Sequence, residues 1–180
     1  MGAVDGQRVL VTGGGSGIGE AVNLTGAFHV IRATAPLLRA SGEGSIVNVS
    51  SLSGTIPTRG EGPYSVAKAA LLALTRSAAL ELAPAIRVNA VSPGFIETPL
   101  TRPLFAVDGV RAGLEGRTPL RRVGTVDEVA TTVVFLCSAA AGYVTGHNLV
   151  VDGGAALVHA QADPVLRQLL AMVDGTDGAS

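Results

Sequence analysis

Residues 7–19 read QRVLVTGGGSGIG, a short apolar run that ends in a cluster of glycines and passes directly into a helical pattern. The run at 7–12 predicts a buried strand. The cluster at 13–19 predicts a tight turn, and the helix that follows is predicted to reach about Ala40. Its apolar stripe is Ile18, Ala21, Leu24, Phe28, Ile31, Ala35 and Leu38, with steps of three and four. Pro36 should kink or weaken the last turn. A helix N-terminus offers unpaired N–H groups and a partial positive charge, and glycines let backbone approach an anion closely. Gly13, Ser16, Gly17, Ile18 and Gly19 are therefore the candidate phosphate-binding residues. The spacing is T-G-x-x-x-G-x-G, and a flexible turn without a ligand would have the same composition.

Outward from that stretch, the pattern alternates. Residues 45–50 (SIVNVS) predict a second strand, and 51–63 a loop rich in Gly, Pro and Ser. Residues 64–82 predict a long Ala/Leu-rich helix stopped by Pro84, and 87–91 (RVNAV) a third strand. Residues 92–124 are mostly irregular, with room for one or two short helices. A helix over 125–138 opens on a capping box of Thr125 and Glu128, and 148–151 is the fourth strand. Strands alternating with helices imply an α/β fold, a Rossmann-like parallel sheet of about four strands with helices on both faces. Residues 1–154 are expected to form this domain. Residues 155–180 form a tail, with a short amphipathic helix expected near 164–172.

Composition narrows the function. The chain has 180 residues, is 47% hydrophobic and carries a formal charge of −1, which suits a globular domain and gives no basic surface for nucleic acid. Cys137 is the single cysteine, so no internal disulfide or cysteine-cluster metal site can form. It falls in an apolar run and reads as a small buried residue. His29, His147 and His159 lack metal-ligand spacing, so no metal is expected. The N-terminus has no signal-peptide layout and no apolar run is long enough to span a bilayer, so a cytoplasmic protein is expected. Twelve basic residues are arginine, and Lys68 is the one lysine.

Lys68 lies four residues after Tyr64 on a predicted helix, so the two share a face. Ser51 follows the end of the second predicted strand, the edge of a parallel sheet where ligands bind. A phenol ordinarily titrates near 10, too high for an efficient base at neutrality, and a neighbouring ammonium favours the phenolate. Ser51 can hold and polarise a carbonyl oxygen while Tyr64 exchanges its proton. A surface Tyr and Lys paired by chance is the alternative reading.

The motifs TGGGSGIG, NVSSLSG, YSVAK, RVNAVSPGFIET and VTGHNLVVDGG resemble, in order and spacing, the short-chain dehydrogenase/reductases. The branch they most resemble contains 3-oxoacyl-carrier-protein reductases and glucose or hydroxysteroid dehydrogenases. The resemblance runs from Gly6 to Gly154. It implies an NAD(P)-dependent oxidoreductase that interconverts a secondary alcohol and a ketone by hydride transfer, with Tyr64, Lys68, Ser51 and Asn23 as its catalytic tetrad. Asn23 matches the residue that holds a water linking the lysine to bulk proton donors. Pro93, Gly94, Ile96 and Thr98 match the segment that contacts the nicotinamide. Ser16 stands where NADP-preferring relatives often place a basic residue, which favours NAD. The family pairs subunits through the two helices that here bear Tyr64 and precede Ser45, so a homodimer or homotetramer is expected. Ala69, Ala70, Ala73, Ala78 and Ala79 are small enough for close approach. The loop over 98–116 matches the substrate lid, and Leu104, Phe105 and Leu114 suit either an apolar substrate or loop packing. Arg102, Arg111, Arg117, Arg121 and Arg122 suit an acidic carrier protein, a phosphate or, more simply, a solvated face.

The departure from the family is large. Its members run to about 250 residues, whereas here GIGEAV leads straight into NLTGAF, with roughly 70–80 family residues missing between them. Two strands that hold the adenosine are absent, as is the acidic residue expected about 20 positions after the turn to bind the ribose. The join keeps helical phase, so one merged helix is expected, and the first strand should move into the vacated slot beside the 45–50 strand. A chain that depends on oligomer contacts, or does not fold alone, is the other outcome. An active oxidoreductase and a catalytically impaired remnant, at most a partner of full-length relatives, both remain open.

Overall fold

The computed structural model describes residues 8–12 and 20–158, and only the backbone of residues 12 and 20–23. The candidate phosphate-binding residues Gly13, Ser16, Gly17, Ile18 and Gly19 lie outside the described residues, as does the tail beyond residue 158 with its expected helix.

Strand β1 (Arg8–Thr12) leads to helix α1 (Glu20–Ala40), strand β2 (Gly44–Val49), helix α2 (Gly62–Leu82) and strand β3 (Ile86–Pro93). Then come β4 (Ile96–Glu97), the short helices α3 (Arg102–Phe105) and α4 (Val110–Gly116), β5 (Gly124–Thr125), α5 (Val126–Cys137) and β6 (Asn148–Val151). The main sheet has the order β1-β2-β3-β6, all parallel. The four expected strands are present within one or two residues of their expected bounds. The first lies directly against the second, Val11 opposite Val47 and Thr12 opposite Asn48. The sequence pattern did not reveal the small second sheet, in which β4 pairs β5 through two residues each.

Alternation along β2 sorts the layers. Ile46 faces α1 and α2 and joins Ile31, Ala35, Leu38, Ala78, Ala79, Ile86 and Val88 in one buried cluster. Val47 points the other way and packs with Val91, Leu136, Cys137 and Ala141 beneath α5. Burying each of the larger aliphatic side chains contributes about 1.5–3 kcal/mol. Leu10 of β1 packs on the first cluster. Val9 and Val11 face the α5 side and stay 36% and 49% exposed, so β1 is covered on one face only.

Two details of the helices differ from expectation. The buried stripe of α1 is Ala27, Ile31, Ala35 and Leu38, while Phe28 is 46% exposed and stacks edge-on with His29. Phe28 is one residue, or 100°, from Ala27, and the buried face takes the smaller side chain. Pro36 sits on the exposed side and α1 continues past it to Ala40. The helix then stops at Gly42, which adopts a left-handed φ of 83° and donates its N–H to the Arg39 carbonyl.

Helix α5 is fixed at both ends. At its start the expected capping box is present: Thr125 Oγ1 accepts from the Glu128 N–H, and the Glu128 carboxylate accepts from the Thr125 N–H. Arg122 donates to the same carboxylate at 3.0 Å. At its end, Arg87 reaches across from β3 and donates to the carbonyls of Leu136 at 2.8 Å and Ser138 at 3.2 Å. Its guanidinium thus meets the negative end of the helix dipole.

Arg87→Ala should lower unfolding stability by about 2–3 kcal/mol, because it takes a charged donor away from the carbonyls at the negative end of α5. Urea denaturation measures this, and Arg87→Lys should recover part of the loss. The bond from Arg122, then that from the Thr125 N–H, holds the Glu128 carboxyl at about 2, below its unfolded value of about 4.3. The stabilisation is complete above that unfolded value and is lost as pH falls through about 2. Glu128→Gln should therefore melt below the parent chain at pH 6, with a gap that closes toward pH 2 and narrows with added salt.

Candidate active site

In a parallel sheet every strand ends on the same edge, and here that edge gathers the candidate residues. β2 ends at Val49 opposite Val91, and β3 ends at Pro93 opposite Val151. β1 ends at Thr12, one residue before the glycine-rich turn. Ser51 begins the turn after β2, where its Oγ accepts from the Ser53 N–H at 3.2 Å and caps the single 3-10 turn Leu52–Gly54. Ser53 Oγ in turn donates to Glu61 at 2.7 Å, which ties this turn to the start of α2.

Tyr64 and Lys68 lie one turn apart on α2, as their spacing predicts. Lys68 Nζ stands 5.7 Å from the centre of the Tyr64 ring. Tyr64 is 37% exposed and Lys68 only 4%. The ammonium donates to the Val49 carbonyl at 3.0 Å, and burial pushes its pKa below the usual lysine range. The 51–54 turn packs against α2 at the same level: a Cβ built on Gly54 would stand 2.8 Å from the Lys68 carbonyl carbon, so that approach requires glycine. Ser51, Tyr64 and Lys68 thus share one end of the sheet. Asn23 falls in the first turns of α1, and its side chain is outside the description.

The segment after β3 continues along the same edge. The Gly94 N–H donates to the Val151 carbonyl at 3.0 Å, and its Cα packs so closely on Asp152 that a Cβ would meet the Asp152 Cβ at 2.6 Å. Ile96 is buried in β4, and the Thr98 N–H donates to Thr101 Oγ1 at 2.8 Å. In the segment expected to form a lid, Phe105 is buried and Leu104 is exposed, so Phe105 packs the loop itself. Of the arginines, Arg111 bridges Glu97 and Glu115, and Arg122 pairs with Glu128, so these two are committed to internal ion pairs. Among the described residues no group of three or more His, Cys, Asp or Glu is arranged to hold a metal ion, and no helix is long and apolar enough to cross a membrane. A groove of about 580 Å³ lies beside β6, lined by Phe95, Ile96, Leu120 and Val151 among others, and none of Ser51, Tyr64 or Lys68 lines it.

Besides Val49, whose carbonyl accepts from the ammonium, sequence reasoning missed two residues that touch Lys68. Ser50 is buried, and its Oγ donates to the Lys68 carbonyl at 3.0 Å; Gly54 makes the close approach just described. The signal was available for Ser50: it follows Ile46 and Asn48 in a period of two, so it must face α2.

Residues 19–156 match a family model described as enoyl-(acyl carrier protein) reductase. A tropinone reductase homolog of Arabidopsis thaliana is 47% identical over 135 residues, 74% of this chain and 50% of the relative. An uncharacterized oxidoreductase of Mycobacterium tuberculosis is 45% identical over 135 residues, 74% of this chain and 51% of that protein. The chain therefore spans about half the length of these relatives. Among solved structures, a gluconate 5-dehydrogenase from Burkholderia cenocepacia in complex with NADP and tartrate matches with a TM-score of 0.73 and 32% identity, over 82% of this chain and 64% of that one. The ligand-free aldohexose dehydrogenase of Thermoplasma acidophilum matches with a TM-score of 0.77 and 31% identity, over 84% and 69%. With its parallel sheet, its ordered motifs and a family model matched over most of its length, the chain belongs to the short-chain dehydrogenase/reductase family.

Proposed function

We propose that this chain is an NAD(P)-dependent oxidoreductase that interconverts a secondary alcohol and a ketone. The observation that carries this reading is the buried ammonium of Lys68, 5.7 Å from the Tyr64 ring, at the strand edge where Ser51 begins its turn. Tyr64 gives its hydroxyl proton to the carbonyl oxygen, or takes one from the alcohol. Lys68 favours the phenolate by its charge and would hold the ribose of a bound cofactor. Ser51 donates a hydrogen bond to the reacting oxygen. The residues proposed for the nicotinamide end of a dinucleotide follow β3: Pro93 ends the strand, Gly94 is held there by its close packing on Asp152, and Ile96 and Thr98 continue along that edge. A bound nicotinamide would supply or accept the hydride. Gly13, Ser16, Gly17, Ile18 and Gly19 are the proposed pyrophosphate residues, and Ser16 favours NAD over NADP. Asn23 is the proposed fourth member of the tetrad.

A second reading is an impaired relative that binds cofactor weakly. It is favoured by the place of β1, which lies at the end of the sheet order with no strand outside it among the described residues to receive an adenosine. Calorimetry with NADH and NADPH separates the two readings.

Assembly follows from exposed apolar surface. Phe28 and Leu37 on α1, and Val66 and Leu80 on α2, are all exposed, at 83% for Leu80. Of the five alanines expected to admit a partner helix, Ala69 and Ala73 face outward, whereas Ala78 and Ala79 are buried within the chain. We infer a homodimer or homotetramer through α1 and α2. Sedimentation at micromolar concentration should show it, and a clean monomer would count against it.

For the chemistry, Tyr64→Phe should abolish turnover of a ketone panel with either cofactor while leaving the circular dichroism unchanged. Ser51→Ala should lower kcat about 10²- to 10³-fold, the worth of one donor to the reacting oxygen. Lys68→Arg should also be heavily impaired. Undiminished turnover by Tyr64→Phe would show that the site is wrongly assigned.

A further inference from the structure

We propose that Ser50 is a positioning residue that, with the close approach of Gly54, sets the place of Lys68 on the strand edge. Two hydrogen bonds run in opposite directions between neighbouring residues of the β2 end and one residue of α2. Ser50 Oγ donates to the Lys68 carbonyl at 3.0 Å, and Lys68 Nζ donates to the Val49 carbonyl at 3.0 Å. They clasp both the backbone and the side-chain tip of the lysine to the same two residues. The Lys68 carbonyl belongs to the interior of α2, where the helix ladder takes one of its lone pairs; the Ser50 hydroxyl takes the second. The ladder does not need this bond to form the helix. The bond fixes where that turn of the helix sits.

Two further contacts make the placement specific. Gly54 presses on the same peptide, since a Cβ there would lie 2.8 Å from the Lys68 carbonyl carbon and 3.0 Å from its oxygen. Seven residues along α2, two helical turns away, Asn48 Nδ2 donates to Thr75 Oγ1 at 2.8 Å. Asn48 and Ser50 alternate on the same face of the chain, so β2 holds α2 at two rungs and only the upper rung touches Lys68. A Ser50 hydroxyl that merely found a buried acceptor would leave the lysine indifferent to its loss.

The proposal draws its catalytic meaning from the function proposed above, but its test does not need turnover. Because Lys68 is the only lysine, chain labelled with [ε-13C]lysine gives one resonance that reports this side chain alone. The residues facing it from β2 and the following turn, Val49 to Gly54, carry no ionisable group, and Tyr64 faces it from its own helix. In Ser50→Ala the resonance should move toward that of free lysine, and its alkaline titration midpoint should rise as burial is relieved. Ser50→Thr, which restores the hydroxyl, should return both toward the parent. Gly54→Ala, with Ser50 intact, should move the resonance in the same direction as Ser50→Ala. Thr75→Val loosens the other rung and should lower the melting temperature with little change at the lysine.

A folded Ser50→Ala with an unchanged resonance and midpoint would overturn the proposal, as would a Thr75→Val that moves the lysine equally. If Ser50→Ala does not fold, Ser50→Cys, of similar volume but a weak donor, is read against the same criteria. Lysine shifts as described in a chain that binds no cofactor would uphold the clasp and sink the proposed function instead.

Discussion

Strand β2 has to be satisfied on two edges and two faces at once. β1 and β3 take its edges, Ile46 and Asn48 meet α1 and α2 on one face, and Ser45 and Val47 meet α5 on the other. Its side chains from Ser45 to Asn48 are all at most 1% exposed. A parallel strand this deeply enclosed cannot be left with an unpaired edge, since each orphaned backbone group costs about as much as a lost hydrogen bond. That requirement draws β1 into the slot beside β2 and so allows a shortened chain to close a sheet.

Placing β1 there has a consequence. Helix α1 packs with α2, and among the described residues no helix covers the opposite face of β1. Val9 and Val11 register this as exposure, though Val47, the residue paired with Val11, is completely buried. Among the described residues no strand pairs with the outer edge of β1, which lies beside an apolar face, the combination that invites association. The β1 edge is also where further strands would have to add to extend the sheet toward an adenosine. That open edge, among the described residues, is what weakens the proposed dinucleotide site.

Much of this was legible in the sequence because the signals were local and repeated. The apolar runs at 45–50 and 87–91 and the capping box at Thr125 and Glu128 each rest on a few neighbouring residues, and all three were found where expected. The spacing of Tyr64 and Lys68 placed both on one face of α2 without reference to any other element. What was not legible depended on distant partners. The β4–β5 pair joins residues 28 apart, from Ile96 to Gly124, and two residues a side leave no periodicity to read. Phe28 fits an apolar stripe on spacing alone, and only the tertiary packing of α1 turns Ala27 inward instead. Arg87 reads as one more charge until β3 and α5 are brought together.

The same reasoning explains why the one lysine stands at residue 68 in a chain that uses arginine at every other basic position. At the other basic positions among the described residues the charge sits at or near the surface, or faces several acceptors at once, as Arg87 does with the carbonyls of Leu136, Cys137 and Ser138. A guanidinium presents five donors in a fixed plane and needs acceptors to match. At residue 68 the enclosure is nearly complete, and the Val49 carbonyl is the acceptor at hand. A compact ammonium on a flexible stem can satisfy that one acceptor and still turn its remaining donors toward the open edge where Tyr64 lies. An arginine there would bury several unpaired donors or push the 51–54 turn outward, against the close contact that Gly54 makes with the same residue. Lysine is therefore the basic residue that this position can hold without opening the site.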